Sequence, residues 1–430
     1  MKKVVIDGSQ GEGGGQIIRN AVCYAALLRK HILIHSVRAG RCKPGLRAQH
    51  LAGLHLAANI CDGRIVGASV GSEEFEYIPS ILVENACEDL SSTNGTGELP
   101  KESNHREIIA DIGTAGSICL LLQVGFPCML MTMCDKKHVI LDLRGGTNAD
   151  LAPQIDYMEL IFLPIISRHC FGYNMNVAKL DIKRRGYYPR GGGIVKFSIN
   201  KSSIDSSSKT IGLPLRPFNL MKRGQVTSIF IKAFYADKVP QIVAKKLVNA
   251  ALGSILSEKE DLSSPLSSEL QEIVPLTEII RHDPAIGSAS GILLVATTSE
   301  GCIFGGSSLG RKGEDATITG QKAAQELLDS LRDGGCVNDW LQDQLIIFAA
   351  LADGVSKILT GSLTLHTQSA IRVAEEMTKA KFKIRRVEDE TDNNIVGEKG
   401  ELTNSYSYGM SGCILGRHII TCQGIGYRRV

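Results

Sequence analysis

The chain is predicted to be an α+β protein of three βαβαββ units, with a smaller α/β domain inserted before the third. Three observations predict this. The order strand–helix–strand–helix–strand–strand is read twice within 1–198 and approximately once more within 301–430. Residues 199–300 have a different texture, with "NKSSIDSSSK" and "SEKEDLSSPLSSEL" reading as loops. Strands of this order buried by one layer of helices form compact sheet-and-helix units that can pack together.

The elements follow in order. "KVVID" is β-rich and runs into the glycine loop "GSQGEGGG". "QIIRNAVCYAALL" suits a buried helix, "ILIHSV" a second strand, and residues 46–60 a helix with Leu51, Leu54 and Ala58 on one face. Strands near "RIVGASV" and "FEYIP" close the first unit. The second unit reads "EIIADI", the turn "GTAGS", a helix near 115–127, "VILDL", a helix from Pro153 to about His169, then "MNVAKLDIKRR" and "GIVKFSI". The inserted domain holds a strand at "QVTSIFIKAFYA" and a helix at "PQIVAKKLVNAALGSIL". The third unit is expected to open at "CIFGGSSLG" and to carry a helix at 320–332 ending at Gly334 and Gly335. "DWLQDQLIIFAAL", "GSLTL", a helix at 368–380, "KFKIRRVED" and "CILGRHIITCQ" complete it. Residues 391–411 read as a mobile loop between its last strands.

Composition narrows the function classes. With 430 residues, 43% hydrophobic and 22% charged, the chain is of globular type. A formal net charge of +3 names no partner, so any nucleic-acid surface must be local. No apolar run has the length of a membrane span, and "MKKVVIDG" reads as a strand rather than a signal peptide. The 12 cysteines include no CxxC pair, which argues for reduced core residues of an intracellular protein and against a zinc site.

Five stretches could carry chemistry. In "IDGSQGEGGGQIIR" a glycine loop enters a helix N-terminus, an arrangement that favours anions. It lacks the spacing of a dinucleotide-binding loop and the lysine of a phosphate-binding loop. Glu12 would repel a bare phosphate but could hold a metal ion that binds one; a tight turn with a solvated carboxylate explains the glycines equally. In "RAGRCKPGLRAQH", Arg38, Arg41, Lys43 and Arg47 lie within ten residues at a strand-to-helix junction, where guanidinium forks match phosphate oxygens. A solvated basic loop is the plain alternative. In "KRRGYYPRGGG", Lys183, Arg184, Arg185 and Arg190 flank Tyr187 and Tyr188, which suits a single-stranded nucleic-acid end or, as well, an exposed hairpin. In "LTLHTQSAIRVAEEM", His366 is expected to end a strand before a helix capped by Thr367 or Ser369, where a neutral imidazole could attack phosphorus. A lone histidine is otherwise a structural residue. In "DWLQDQL", Trp340, Asp343 and Gln344 share a helical face and could hold a purine and its sugar; an amphipathic helix end is the alternative.

Together these strings, with "TAGSICLLLQ", "GGTNADLAPQIDY", "GSSLGRKG" and "CQGIG", resemble the RNA 3'-terminal phosphate cyclase family over nearly the full length and in the family's order. The resemblance implies ATP-dependent conversion of an RNA 3'-phosphate to a 2',3'-cyclic phosphate. It implies three repeats like the C-terminal domain of translation initiation factor 3, plus an inserted domain. It places the nucleophilic histidine at His366 and nucleotide contacts at Gln123, Pro153, Asp343 and Gln344. It places essential polar groups at Glu12, Arg38, Arg41 and Gln49, with Glu12 serving a divalent metal, Mg or Mn. Trp340 stands where relatives commonly carry Tyr; both stack on adenine, but Trp offers no hydroxyl. Arg185 and Arg190 are expected to grip the RNA strand. A nuclear location is expected from relatives of eukaryotic type, although no clear basic import signal is present.

Two rival readings are a non-catalytic cyclase-like ribosome-assembly factor and a small-molecule transferase. The first lacks a histidine in the "LHTQ" position, so His366 weighs against it. The second has no need of the basic and aromatic stretch at 183–190.

Overall fold

Four small mixed sheets and the helices covering them make up the computed structural model, which describes residues 3–80, 105–132, 138–172, 178–199, 215–387 and 413–428. In the first sheet β1 (Val4–Asp7), β2 (Ile32–His35), β3 (Arg64–Val66) and β4 (Phe75–Ile78) stand in the order β1-β2-β4-β3. β1 and β2 are parallel and the other pairs antiparallel. Parallel neighbours require a crossover, and the apolar helix Gly15–Leu27 supplies it; helix Ala48–Cys61 then leads from β2 to β3.

The second sheet has the same connectivity. β5 (His105–Asp111), β6 (His138–Gly145), β7 (Ala178–Gly186) and β8 (Gly193–Ile199) stand in the order β5-β6-β8-β7, with β5 and β6 parallel, and the short strand Ala285–Ile286 adds a fifth, parallel to β7 at the edge. Helix Ile118–Thr132 makes the crossover. A helical run from Ile155 to Phe171 follows, with π turns at Met158–Phe162 and Ser167–Phe171.

β9 (Asn219–Leu220) begins a third sheet, but the chain leaves it at once. It builds β10 (Val226–Ala236), helix Gln241–Glu260, β11 (Leu276–His282), β12 (Ala285–Ile286), β13 (Ala289–Thr298), β14 (Ile303–Leu309) and helix Ala316–Arg332. Four of these strands form a separate sheet in the order β11-β10-β13-β14, and the two helices pack on it and on each other. The stretch "CIFGGSSLG" and a helix at 320–332 were expected to open the third unit. Instead β14 is hydrogen-bonded to β13, from Gly291 opposite Leu309 to Thr297 opposite Ile303. Gly301, at φ +81°, lies in the turn of this hairpin, so the expected boundary at 300/301 falls inside one sheet.

The chain then returns through helices Asp339–Gln344 and Ile346–Leu351 to β15 (Val355–Thr360), which pairs parallel with β9. β16 (Lys381–Arg386) and β17 (His418–Gln423) complete the order β9-β15-β17-β16. Three of the four sheets therefore share one connectivity. The stretch "GSLTL", expected as a strand, is the link between β15 and helix Leu365–Met377. The stretch "SEKEDLSSPLSSEL", expected as a loop, contains the end of helix Gln241–Glu260 and the short helix Ser267–Leu270. The loop expected at 391–411 lies outside the described residues. Among the described residues no helix is long and apolar enough to cross a membrane.

The sheets meet through their helices. Helix Ala48–Cys61 packs on Ile118–Thr132, and helix Gly15–Leu27 packs on Leu365–Met377. Ala21, Val22, Cys23 and Ala25 are fully buried along the first of the latter pair. This packing brings the glycine loop before residue 15 against the start of the helix that carries His366.

Candidate functional site

The glycine loop docks directly on helix Leu365–Met377. The Glu12 backbone N–H donates to Ser369 Oγ at 2.9 Å. Gly11 has φ +59°, and a Cβ there would meet Ser369 Oγ at 2.6 Å. At Gly14 a Cβ would strike the Glu12 carboxylate. The glycines thus permit close packing of loop on helix and leave room for an inward-turned carboxylate.

His366 is the second residue of that helix rather than the end of a strand. The cap is Thr364, whose Oγ1 accepts the Thr367 N–H at 3.1 Å. Of the residues expected to cap, Thr367 is the donor and Ser369 receives the Glu12 N–H. His366 Nδ1 lies 2.6 Å from Gln16 Oε1 and 3.2 Å from Glu12 Oε2. Gln16 in turn donates through its amide to Asp343. A proton on Nδ1, directed at the nearer Gln16 oxygen, leaves Nε2 with a free lone pair. The side chain is 52% exposed, so that nitrogen is reachable. The contact with Glu12 raises the His366 pKa above its usual value; burial opposes this, and the Glu12 and Asp343 charges reinforce it.

Glu12 Oε1 accepts from Arg41 at 2.7 Å, and the same guanidinium reaches the Glu12 carbonyl at 3.0 Å. Burial alone would raise the Glu12 pKa, but His366, Arg41 and Arg19 outweigh it and hold the carboxyl below its ordinary value. Glu12 Oε2 is buried, with His366 Nδ1 at 3.2 Å.

These groups line a cavity of about 1040 Å³. From the first unit come Arg19, Arg38, Arg41 and Arg47. From helix Ala316–Arg332 and the residues after it come Glu326, Asp329, Asp333, Asp339, Trp340 and Asp343. Gln49, Gln123 and Pro153 line it as well. Arg38 also braces its own loop, donating from Nη1 to the Lys43 and Gly45 carbonyls at 2.9 and 3.0 Å. Gln49 Oε1 accepts the Ser117 N–H at 3.2 Å, and Arg19 Nε donates to Gln123 at 3.1 Å. Burial pushes the Asp343 carboxyl up to about 6 against the attraction of His366 and Arg19. His50, buried among Arg19, Arg38 and Arg47, is held down to about 3 and is therefore neutral. The cavity is large enough for a nucleoside triphosphate, and its lining offers guanidinium groups that could pair with phosphates and an indole that could stack on a base.

Nine of the twelve expected site residues thus line one cavity: Glu12, Arg38, Arg41, Gln49, Gln123, Pro153, Trp340, Asp343 and His366. Three do not. Gln344 is buried behind Asp343 in the helix, outside the lining. Arg185 is a correction: its guanidinium is buried and makes two hydrogen bonds to the Asp156 carboxylate, which Lys232 also approaches at 3.0 Å. Paired charges of this kind are not free for a strand of RNA. Beside them Tyr187 bonds His282 and stacks on Phe234, and β12 pairs with β7 at Arg185 and Gly186, so "RRGYY" ties β7 to the chain that carries β10 and β11. Arg190 is exposed and outside the cavity lining.

Gln16 and Arg19 were missed. The available signal was two polar residues, three apart, at the start of an otherwise apolar helix directly after the glycine loop. The acidic lining from helix Ala316–Arg332 had no such signal, because the helix reaches the cavity from a separate sheet.

A family model described as RNA 3'-terminal phosphate cyclase matches residues 10–384. A Dictyostelium discoideum protein named "Probable RNA 3'-terminal phosphate cyclase" is 36% identical over 98% of this chain and 83% of its own length. A Drosophila melanogaster protein named RNA 3'-terminal phosphate cyclase is 32% identical over 89% of this chain and 93% of its own. One of the same name from Desulfurococcus amylolyticus is 34% identical over the whole of both chains. A match of this extent, across a chain whose glycine loop, arginines and histidine converge on one cavity, makes the chain a member of the RNA 3'-terminal phosphate cyclase family.

Proposed function

We propose that the chain uses ATP to convert an RNA 3'-terminal phosphate into a 2',3'-cyclic phosphodiester. The observation that carries this reading is His366 itself: Nδ1 held by Gln16, Nε2 with no hydrogen bond among the described residues, in a cavity lined in part by arginines. In the first step the Nε2 lone pair attacks the α-phosphorus of ATP. The bond to the bridging oxygen breaks, pyrophosphate leaves with that electron pair, and a His–AMP phosphoramide remains. In the second step an oxygen of the RNA 3'-phosphate attacks the adenylyl phosphorus, and the P–N bond returns its electrons to Nε2. In the third step the neighbouring 2'-hydroxyl attacks the activated 3'-phosphorus. AMP leaves, the ring closes and the hydroxyl proton passes to solvent.

Each step is governed by position and charge neutralisation. Arg38 and Arg41, with Arg19 and Arg47, supply the positive charge. Trp340 stacks on the base, Gln123, Pro153 and Asp343 complete the nucleotide pocket, and Gln344 supports it from behind. Gln49 contacts the RNA terminus. Among the described residues no three His, Cys, Asp or Glu side chains are grouped as a metal site. Glu12, whose buried Oε2 faces His366 Nδ1 at 3.2 Å, is the carboxylate that would hold a divalent ion, Mg or Mn, beside the phosphates. Such an ion would offset phosphate charge. The shared connectivity of three sheets supports reading them as repeats like the translation initiation factor 3 C-terminal domain, with the fourth sheet as the insert. Nuclear residence belongs to the same reading.

Incubation with α-labelled ATP tests the proposal. Labelled protein that is acid-labile and alkali-stable is expected, as for a phosphoramide. Absence of covalent label with active protein would refute the histidine intermediate.

A further inference from the structure

We propose that Glu326 is a positioning residue that fixes the Trp340 indole for stacking on the nucleobase, which makes helix Ala316–Arg332 of the inserted sheet a working wall of the nucleotide site. The inference rests on the reading of the cavity as the ATP site. Trp340 Nε1–H donates to Glu326 Oε1 at 2.8 Å, while Glu326 Oε2 accepts the Ser307 backbone N–H at 2.9 Å. The carboxylate is therefore itself held from β14 and holds the ring from its far edge. The backbone of Trp340 is fixed separately. It lies in the first turn of helix Asp339–Gln344, whose cap Asn338 accepts the Leu341 N–H at 3.1 Å and the Tyr157 hydroxyl at 2.7 Å.

An indole has one hydrogen-bonding atom. Anchoring that atom while the helix turn anchors Cα leaves the ring little freedom about χ1 and χ2. A base then meets a preset stacking face and spends less free energy in ordering it. Asp329 and Ser330 of the same helix line the same cavity, so the contact is part of a continuous wall. Burial raises the Glu326 pKa, and the Ser307 and Trp340 hydrogen bonds act against that rise, as expected for a carboxylate kept as an acceptor.

The test uses the chain's single tryptophan, Trp340, as a reporter. ATP with a divalent ion should quench indole emission in the full chain. If it does not, and W340A leaves the KM for ATP unchanged, the reading of the cavity as the base pocket fails, independently of Glu326. Given quenching, E326A should raise the KM for ATP in the adenylylation assay about three- to tenfold with little change in kcat. Its ligand-free emission should change relative to the wild type. E326Q, whose amide oxygen can accept the indole N–H, should recover most of the loss. In a W340F background, which has no N–H to anchor, E326A should add nothing. A KM unchanged in E326A would overturn the proposal, as would the same KM increment in both backgrounds or a fall in kcat at constant KM. Thermal melts of E326Q and E326A establish that each variant is folded.

Discussion

His366 Nδ1 and Gln16 Oε1 lie 2.6 Å apart, joining the helix after the glycine loop to the helix that carries the proposed nucleophile. The Gln16 amide continues the chain to Asp343. One ring nitrogen is thereby committed and the other left free, which is what in-line attack on phosphorus requires.

His366→Ala should abolish transfer of α-label from ATP to protein, with the thermal melt close to that of the wild type, since the side chain is half exposed. Gln16→Ala should retain the nucleophile but release its tautomer and orientation. Single-turnover adenylylation should then fall about 10- to 100-fold. If Gln16→Ala adenylylates at the wild-type rate, the hydrogen bond does not orient the ring.

Trp340→Ala should raise the ATP requirement far more than Trp340→Tyr. Stacking of a base on an aromatic ring contributes about 1–3 kcal/mol, so the alanine variant should bind ATP about five- to 150-fold more weakly. Titrating adenylylation against ATP distinguishes the two, and equal behaviour would remove Trp340 from the base pocket.

The parts of this site that were legible in the sequence are those whose chemistry is local. Glu12 among glycines, Arg38 and Arg41 at a strand-to-helix junction, and Trp340 with Asp343 at i and i+3 each announce themselves within a few residues. What was not legible depends on pairing between distant segments. Arg185 carries the same local signature as Arg38, yet its charge is paired with Asp156, a carboxylate it shares with Lys232. Nothing near residue 185 signals a carboxylate 29 positions earlier. The third sheet was misread for a related reason. Its first strand, Asn219–Leu220, is two residues long and is completed only by parallel pairing with Val355–Thr360. A strand that short has no periodicity to read. A boundary at 300/301 divides the hairpin of β13 and β14, because the pairing of "CIFGGSSLG" with the strand before it, rather than with those after, leaves no mark in the local sequence.

Asp343→Asn should separate stability from activity. Burial raises this carboxyl from 3.8 to about 6. A raised acid favours the folded state when protonated, so its effect is absent below 3.8, develops as pH rises from 3.8 to about 6, and is complete above. At neutral pH the charged form costs at most about 3 kcal/mol of stability. The asparagine variant should therefore be more stable than the wild type at pH 7, with the difference vanishing near pH 4, while ATP binding weakens. Denaturant melts at both pH values measure this, and a stability difference independent of pH would show that Asp343 ionisation does not oppose folding.

The roles of the arginines can be divided by assaying adenylylation and ring closure separately. Arg38 lines the cavity and braces the loop that also holds Arg41, so Arg38→Ala should impair both steps even at saturating RNA. Arg185→Ala should act through the fold: it leaves the buried Asp156 with Lys232 alone, and removing one partner of a buried pair costs about 3 kcal/mol or more. Its loss should appear in the melting curve before it appears in either reaction. Arg190 is exposed and outside the cavity lining, next to Tyr188, which is 81% exposed. If this corner grips RNA, Arg190→Ala should spare His366 adenylylation and weaken cyclisation. The weakening should flatten the salt dependence of RNA binding by about one phosphate contact. Arg190→Ala that cyclises like the wild type across the salt range would leave the RNA path to the cavity arginines alone.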